Sequence, residues 1–293
     1  MFPPQVVLAA IDFSDAARVA VTYAARLAAQ TDAALHVLHA EDPLLATTAA
    51  ASGIDLDRET RDELAAFLKS ALPGGGRLPV QHVVSGPAVD VICSIALREN
   101  ADVIVVGAHG LSGAERRMFG STTEGVLRNA ERSILVVPSG WAPPRPGTLD
   151  LSGTGPVIAA IDLTAPSLAA FDVACRFAAV LGTSVEAVHV VPPIAVPARW
   201  MSHAGAAIAQ RVDAARRELE TAVRSVHSNV PITTRVESGP VAERLADTAT
   251  TLGARALLVL GRRTRADRKG APGATAYRVL TISQVPVLAQ LSD

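Results

Sequence analysis

An internal repeat constrains this chain more than any other feature of its sequence. Residues 7–43 and 157–193 align without a gap, and 12 of the 37 aligned positions are identical, among them Asp12 with Asp162. Because repeated sequences adopt a repeated fold, the chain is predicted to contain two domains of one architecture. Its 293 residues suffice for two hydrophobic cores.

A second pair of segments extends the repeat. Residues 83–110 match residues 236–263, with one extra residue in the second copy. The segment between the copies, 138–156, is rich in Pro, Gly and Ser and is predicted to be a linker. The predicted domains are therefore 1–140 and 155–293.

Each copy alternates short apolar runs with longer amphipathic segments. The short runs are rich in β-branched residues, which is typical of strands buried on both faces. The longer segments repeat apolar residues every three or four positions, as amphipathic helices do. This alternation predicts a parallel, doubly wound α/β sheet with right-handed crossovers. In the first copy the predicted strands are 6–11, 34–40, 80–84, 102–108 and 133–137, and the predicted helices are 15–30, 57–72, 87–100 and 122–130.

Composition and charge exclude several classes of function. A net charge of −1 and an aromatic content of 3% disfavour nucleic-acid binding, which needs basic surface and stacking platforms. No apolar run approaches the roughly 18 residues that a membrane span needs. Cys93 and Cys175 have no CxxC or zinc-ligand spacing and are predicted to be reduced thiols. The protein is therefore expected to be cytoplasmic, with no membrane and no nucleic acid among its partners.

A glycine-rich segment follows the fourth predicted strand. Gly107 and Gly110 precede nine residues that end at Gly120 and Ser121. Glycines allow backbone N–H groups to approach an anion, and residues 121–124 have the S-x-x-E form of a capping box. A helix N-terminus with hydroxyls beside glycines favours a phosphate group. The alternative is a flexible loop followed by an ordinary helix cap.

Polar residues at the ends of the other strands point to the same place. In doubly wound sheets, ligands bind beyond the carboxyl ends of the strands. Asp12 ends the first strand, and it is interpreted either as a ligand contact or as a helix N-cap that competes with Ser14. His39 ends the second strand and is interpreted as a packed histidine rather than a ligand.

The glycine segment, together with Asp12 and Ser-Gly-Pro at 85–87, resembles the universal stress protein family in its tandem-domain form. The pattern Gly-x-x-Gly-x(9)-Gly-Ser is similar to that of the ATP-binding branch of this family. The resemblance covers the chain apart from the linker and the divergent segments 44–56 and 194–210. It implies two Rossmann-like, adenine nucleotide alpha hydrolase-like domains, each with a five-stranded parallel sheet in the order 3-2-1-4-5.

The resemblance also implies an ATP site, with or without Mg²⁺, in the first copy. Neither a catalytic residue nor a metal ligand is predicted. The implied cofactor-binding residues are Asp12 and Ala40 at the adenine, with Ala10 beside them; Val106, Gly107, His109 and Gly110 at the ribose and phosphates; and Gly120, Ser121, Thr122 and Thr123 at the phosphate chain.

The second copy departs from this pattern. Gly261 is retained, but residues 262–264 lack the second glycine. Ala274, Ala276 and Tyr277 stand where the first copy has a serine, a threonine and a glutamate. One nucleotide site per chain is therefore predicted, with the second copy as its structural partner.

The fifth strand of each copy is predicted to be an apolar sheet edge. Exposed edges of this kind seek partners, so 133–137 and 284–290 are predicted to pair and to give an intramolecular pseudo-dimer. Further association into a homodimer stays open.

Three functions are compatible with the sequence. The first is a stress-response or sensor module that works by binding ATP. The second is a slow ATP-hydrolysing or nucleotide-transferring enzyme, for which Asp12 and His109 are available but no P-loop lysine or second carboxylate for Mg²⁺ is evident. The third is a nucleotide-free interaction scaffold.

Overall fold

A computed structural model describes residues 3–72, 77–108, 120–143, 145–151, 155–193, 201–253, 258–262 and 274–291. These residues form two units, the first ending at residue 151 and the second beginning at residue 155. The domain boundaries 1–140 and 155–293 stay a prediction. His109 and Gly110, two of the candidate site residues, lie outside the described residues.

The first unit contains a parallel sheet in which β3, β2, β1, β4 and β5 are paired in that order. This order agrees with the expected 3-2-1-4-5. Its strands are β1 (Val6–Ile11), β2 (Ala34–Glu41), β3 (Val80–Ser85), β4 (Val103–Gly107) and β5 (Ser133–Val137), and its helices are α1 (Asp15–Thr31), α2 (Pro43–Ala51), α3 (Leu56–Ala71), α4 (Ala88–Arg98) and α5 (Ser121–Asn129).

The second unit repeats this arrangement. Its parallel strands pair in the equivalent order β8, β7, β6, β9 and β10. The strands are β6 (Val157–Ala160), β7 (Val185–Val191), β8 (Ile232–Ser238), β9 (Leu258–Arg262) and β10 (Val287–Leu291), and the helices are α6 (Ala165–Leu181), α7 (Met201–Arg224), α8 (Val241–Thr251) and α9 (Ala274–Ile282). The prediction of two α/β repeats is confirmed.

The core of the first unit lies between the sheet and two pairs of helices. Helix α1 packs on β1 and β4 and contacts α3, whereas α4 packs on β2 and contacts α5. Val103, Ile104 and Val105 of β4, which lies between β1 and β5, are fully buried, which explains their unbroken apolar sequence. The sheet therefore presents the carboxyl ends of β1, β2 and β4 beside the N-terminus of α5.

Helix α2 was not predicted from the sequence. Its residues lack amphipathic spacing, and Leu44 and Leu45 are largely exposed. A local signal was nevertheless present, because Asp42 caps the helix by accepting a hydrogen bond from the N–H of Leu44 at 2.8 Å and Pro43 occupies its first turn.

Part of the predicted linker packs against the first unit. The buried Trp141 meets the ring of Tyr23 edge to face, with 5.0 Å between ring centroids. Arg26, also buried, donates a hydrogen bond to the carbonyl oxygen of Asp150 at 2.8 Å. Trp141 and the backbone of Asp150 therefore pack on the first unit, and the assignment of 138–156 as the linker stays a prediction.

Candidate functional site

A cavity of about 290 Å³ opens at the carboxyl ends of β1, β2 and β4, beside the N-terminus of α5; we call it the first-repeat cavity. The structure brings nine of the eleven candidate residues to this cavity. They are Ala10, Asp12, Ala40, Val106, Gly107, Gly120, Ser121, Thr122 and Thr123. The cavity lies where a doubly wound sheet binds its ligands.

Asp12 is not the N-cap of α1. That role belongs to Ser14, whose hydroxyl accepts a hydrogen bond from the N–H of Ala17 at 3.1 Å. The Asp12 carboxylate in turn accepts hydrogen bonds from the hydroxyl and the N–H of Ser14, at 2.5 and 3.2 Å. Asp12 therefore holds the capping residue in place while it also lines the cavity.

The turn between β1 and α1 is tight. Phe13 has a φ of 60°, a left-handed conformation that is uncommon for a bulky residue. Its ring packs against His39 and Phe67, with centroid distances of 4.5 and 5.6 Å. Such a conformation persists only where surrounding packing fixes it, so these contacts set the direction in which Asp12 projects.

His39 lies at the cavity but has a structural partner. Its Nδ1 donates a hydrogen bond to the carbonyl oxygen of Ile11, 3.1 Å away. This contact ties the end of β2 to the end of β1, in agreement with the packed-histidine interpretation. The Nδ1 proton of His39 is therefore used in a structural hydrogen bond.

Gly107 ends β4 where that strand meets α1. A Cβ atom at this position would lie 3.1 Å from both the carbonyl carbon and oxygen of Ala16. That approach is tighter than ordinary van der Waals contact, so a larger residue here would push α1 away from β4 by a few tenths of an ångström whether or not a ligand binds.

The N-terminus of α5 differs from the predicted capping box. Gly120 rather than Ser121 is the N-cap, and it has no side chain to accept a hydrogen bond. Glu124 pairs with Arg128 one turn later instead of reaching back to the cap. The helix begins one residue earlier than the box requires, and its first N–H groups remain without intrahelical partners.

The three hydroxyls of this turn are not equivalent. Ser121 is exposed and Thr122 is half-buried. Thr123 is buried, and its hydroxyl donates a hydrogen bond to the carbonyl oxygen of Gly107 at 2.9 Å. Thr123 therefore joins α5 to the end of β4, and Ser121 and Thr122 are the hydroxyls available to a ligand.

The cavity also contains residues that sequence reasoning missed. Six further residues line it: Ile11, Ala17, Leu38, His39, Ala88 and Ile92. His39 had been assigned to packing, and the others are apolar residues on strands and helices without a functional signature. The register of the strands and the positions of the helices show that these residues all line the first-repeat cavity.

The second unit has a cavity at the equivalent position, with a volume of about 370 Å³. Asp162 repeats the contacts of Asp12, since its carboxylate accepts hydrogen bonds from the hydroxyl and the N–H of Thr164 at 2.5 and 3.1 Å. Asp162 is exposed overall, yet desolvation of its carboxyl group by the surrounding residues opposes ionisation; the hydrogen bonds from Thr164 and Ser167 outweigh this and lower the pKa of Asp162. At its α9 side this cavity is lined by Thr275 and Ala276.

The helices were also compared with what a bilayer requires. None of those in the described ranges combines the length and the apolar character needed to cross a membrane.

Several known proteins are similar to this chain, among them three universal stress proteins. Universal stress protein YxiE of Bacillus subtilis is 28% identical over 142 residues, which cover 44% of this chain and 96% of that protein. A universal stress protein from Archaeoglobus fulgidus has a solved structure that covers 99% of both chains at 17% identity and a TM-score of 0.61, and it supports the fold alone. A universal stress protein in complex with cAMP is 29% identical and covers 46% of this chain and 98% of that chain, with a TM-score of 0.34.

The family comparison agrees with the internal repeat. The model of the Universal stress protein family matches twice, at residues 4–138 and 154–289. Together the two matches span most of the chain and correspond to its two α/β units. The chain therefore belongs to the universal stress protein family, whose domain it contains in tandem.

Proposed function

We propose that the first repeat binds an adenine nucleotide, with ATP as the leading candidate, and that the protein acts as a stress-response or sensor module through this binding. The observation that carries the proposal is the uncapped N-terminus of α5 in the first-repeat cavity. Its N–H groups and positive dipole end suit a phosphate, and Ser121 and Thr122 add hydroxyls.

The residues that line the cavity favour a ligand with one apolar and one anionic end. Leu38, Ala40 and Ile92 line its apolar part, whereas Gly120 and Ser121 line the part beside α5. A purine ring fits the former chemistry and a phosphate chain the latter. The Asp12 carboxylate, which accepts hydrogen bonds from Ser14, lines the same cavity at the end of β1.

The lining favours binding over turnover. Among the described residues that line the cavity, Asp12 is the one carboxylate, and it already orients Ser14. Phosphoryl transfer usually relies on metal ions that bridge the phosphates and on a residue that positions the nucleophile. We therefore expect Mg²⁺-dependent phosphate release near background; release well above background and lost in Asp12→Ala would favour the enzyme.

The binding proposal is tested by calorimetric titration of the nucleotide-free full chain with ATP, with and without Mg²⁺. The test variant is Gly110→Ala with Ser121→Ala, and the matched control is Thr275→Ala in the second repeat. Charged hydrogen bonds contribute about 1.5–3 kcal/mol each, so we expect the double variant to lose at least about tenfold in affinity. The control should bind as wild type does.

Two results would overturn the proposal. One is a folded wild-type chain that binds no adenine nucleotide after co-purified nucleotide has been removed. The other is a double variant with unchanged affinity, which would place the ligand elsewhere. ADP, AMP and cAMP are titrated in parallel, and their relative affinities determine which phosphate arrangement the site prefers.

A further inference from the structure

Three side chains with metal-binding chemistry meet in the first unit, away from the first-repeat cavity. His36 lies on β2, His82 on the adjacent β3, and Glu99 directly after α4. The Nδ1 of His36 is 3.0 Å from the Nε2 of His82 and 3.7 Å from the Oε2 of Glu99. We call these residues the His–His–Glu cluster. All three ligand atoms lie within 4.8 Å of one another.

These spacings are close to those of a bound transition metal. Zinc binds imidazole nitrogen and carboxylate oxygen at about 2.0–2.2 Å, so neighbouring ligand atoms of a tetrahedral site lie roughly 3.3–3.5 Å apart. The observed 3.0 and 3.7 Å bracket this range. Two imidazoles with one carboxylate form a donor set that suits zinc and other divalent first-row metals rather than Mg²⁺ or Ca²⁺.

We propose that His36 Nδ1, His82 Nε2 and Glu99 Oε2 bind a divalent transition-metal ion, for which Zn²⁺ is the probe, with water completing the coordination. The proposal does not depend on nucleotide binding. It assigns to the first repeat a second ligand site that no zinc-finger spacing in the sequence indicates.

The backbone fixes all three ligands. His82 is paired in register with Leu38, two residues after His36 on the same strand, so both imidazoles project from the same face of the sheet. Glu99 is the C-cap of α4, and Asn100 follows it with a left-handed φ of 51° that ends the helix. A site built on strands and a helix end is rigid enough to require little reorganisation.

The second carboxylate oxygen of Glu99 has its own partner. Arg98 donates a hydrogen bond from its Nε to Oε1 at 2.8 Å, which leaves Oε2 directed towards His36. The carbonyl groups at the C-terminal end of α4 add negative potential on the same side.

The two imidazoles already contact each other. His36 is buried and His82 is half-buried, and their ring nitrogens lie 3.0 Å apart, at hydrogen-bond distance. In that hydrogen bond the two nitrogens share one proton. When the donor ring changes tautomer and carries this proton on its other nitrogen, both facing nitrogens have lone pairs and can bind one metal ion.

The second repeat has different side chains at the positions equivalent to the His–His–Glu cluster. Strand register places Glu186 and Arg235 where the first repeat has His36 and His82, and Leu252 ends α8 where Glu99 ends α4. Arg235 donates a hydrogen bond to Glu186 at 2.7 Å. The second repeat thus fills the position with an internal ion pair, whereas the first places three metal-ligand side chains there.

The test is a calorimetric titration of Zn²⁺ into the tag-free, metal-free full chain in the absence of nucleotide. We expect one Zn²⁺ per chain, and Co²⁺ should give the visible d–d absorption of a low-coordinate site. Loss of an outer-shell group alone typically weakens metal binding by about 10–100-fold, so His82→Gln and Glu99→Gln should each lose at least about tenfold. His189→Gln, which removes a strand histidine from the second repeat, should bind as wild type does.

Folding is monitored in the same samples. Zn²⁺ should raise the melting temperature of wild type and of His189→Gln but not of His82→Gln or Glu99→Gln, because only a ligand that binds the native state stabilises it. His82 and Glu99 are preferred to the more buried His36 because their replacement disturbs the core less. No Zn²⁺ uptake by wild type, or undiminished uptake by both variants, would overturn the proposal.

Discussion

The two repeats share one turn geometry but differ in the groups that could meet a ligand. In each, an aspartate after the first strand holds a hydroxyl residue: Asp12 holds Ser14, and Asp162 holds Thr164. The intervening residue is left-handed in both, with φ of 60° and 65°. His39 and His189 each donate a hydrogen bond to a carbonyl oxygen of the first strand, Ile11 and Ile161 respectively.

Contacts that are also found in the second repeat, which lacks the second glycine and the serine of the pattern, are explained by their structural role. Gly261 repeats Gly107, and a Cβ atom there would lie 2.5 Å from the carbonyl oxygen of Pro166. Cavity volume does not separate the repeats either, since the second cavity is the larger. The aspartate, the strand-end histidine and the first glycine are therefore weak indicators of function. The informative differences are the second glycine and the hydroxyls at the start of α5.

The largest change should come from transferring the His–His–Glu cluster to the second repeat. The variant combines Glu186→His, Arg235→His and Leu252→Glu, which places the three metal-ligand types at equivalent backbone positions. We expect the calorimetric stoichiometry to rise from one Zn²⁺ per chain to two. A folded variant that still binds one would show that backbone placement alone does not make the site.

The strand-end glycines should resist substitution in both repeats. Gly261→Ala forces a methyl group against the backbone of Pro166 and should cost about 3 kcal/mol, and Gly107→Ala should cost about 1–2 kcal/mol because its contacts are longer. Chemical denaturation measures both. Gly140→Ala is the control, since a Cβ there meets nothing within 4 Å. If Gly107→Ala abolished ATP binding at unchanged stability, this glycine would serve the ligand rather than the fold.

The hydroxyl of Thr123 should matter for stability and that of its neighbour should not. Thr123→Val removes a buried hydrogen bond to Gly107 and leaves a carbonyl oxygen without it, which should cost about 1–2 kcal/mol. Thr122→Val is the matched control and should change stability by less than about 0.5 kcal/mol. Equal losses in the two variants would contradict the assignment of Thr123 as the α5–β4 tether. The measurement is the denaturation midpoint of each variant.

The smallest effect concerns Asp162. Its pKa is lower in the folded state than its ordinary value of 3.8, so it stabilises the fold above that value, and this contribution is lost as the pH falls through the folded-state pKa. Asp162→Asn should therefore lower stability slightly at neutral pH and flatten the stability curve below about pH 4. The effect is small because the side chain is exposed to water. Parallel curves for wild type and variant would contradict it.

Much of the fold could be predicted because its signals are local and repeated. The β-branched runs predicted the strands of the first repeat, including the fourth at 102–108, which is observed as β4 at Val103–Gly107, and the alternation predicted parallel pairing. The start of α5 was misplaced by one residue, since sequence cannot separate Gly120 as N-cap from Ser121 as N-cap. Helix α2 was not predicted because its residues, most of them exposed, show no amphipathic periodicity.

The His–His–Glu cluster could not be predicted in the same way. His36 and His82 are 46 residues apart, and the register of β2 and β3 alone brings them to 3.0 Å. Glu99 joins them only because α4 ends at that level of the sheet. The candidate nucleotide site was easier to find, because its residues follow strand ends that meet at one edge in any doubly wound sheet.

The difference between the repeats is tested most directly by photoaffinity labelling of the nucleotide-free full chain with 8-azido-ATP, followed by identification of the labelled peptides. We expect ATP-competable label in the first repeat, on peptides that carry residues of the first-repeat cavity near Asp12 and Ala40. Competable label in the second repeat, near Asp162 and Val190, would contradict the account. So would the absence of any competable label in a folded chain.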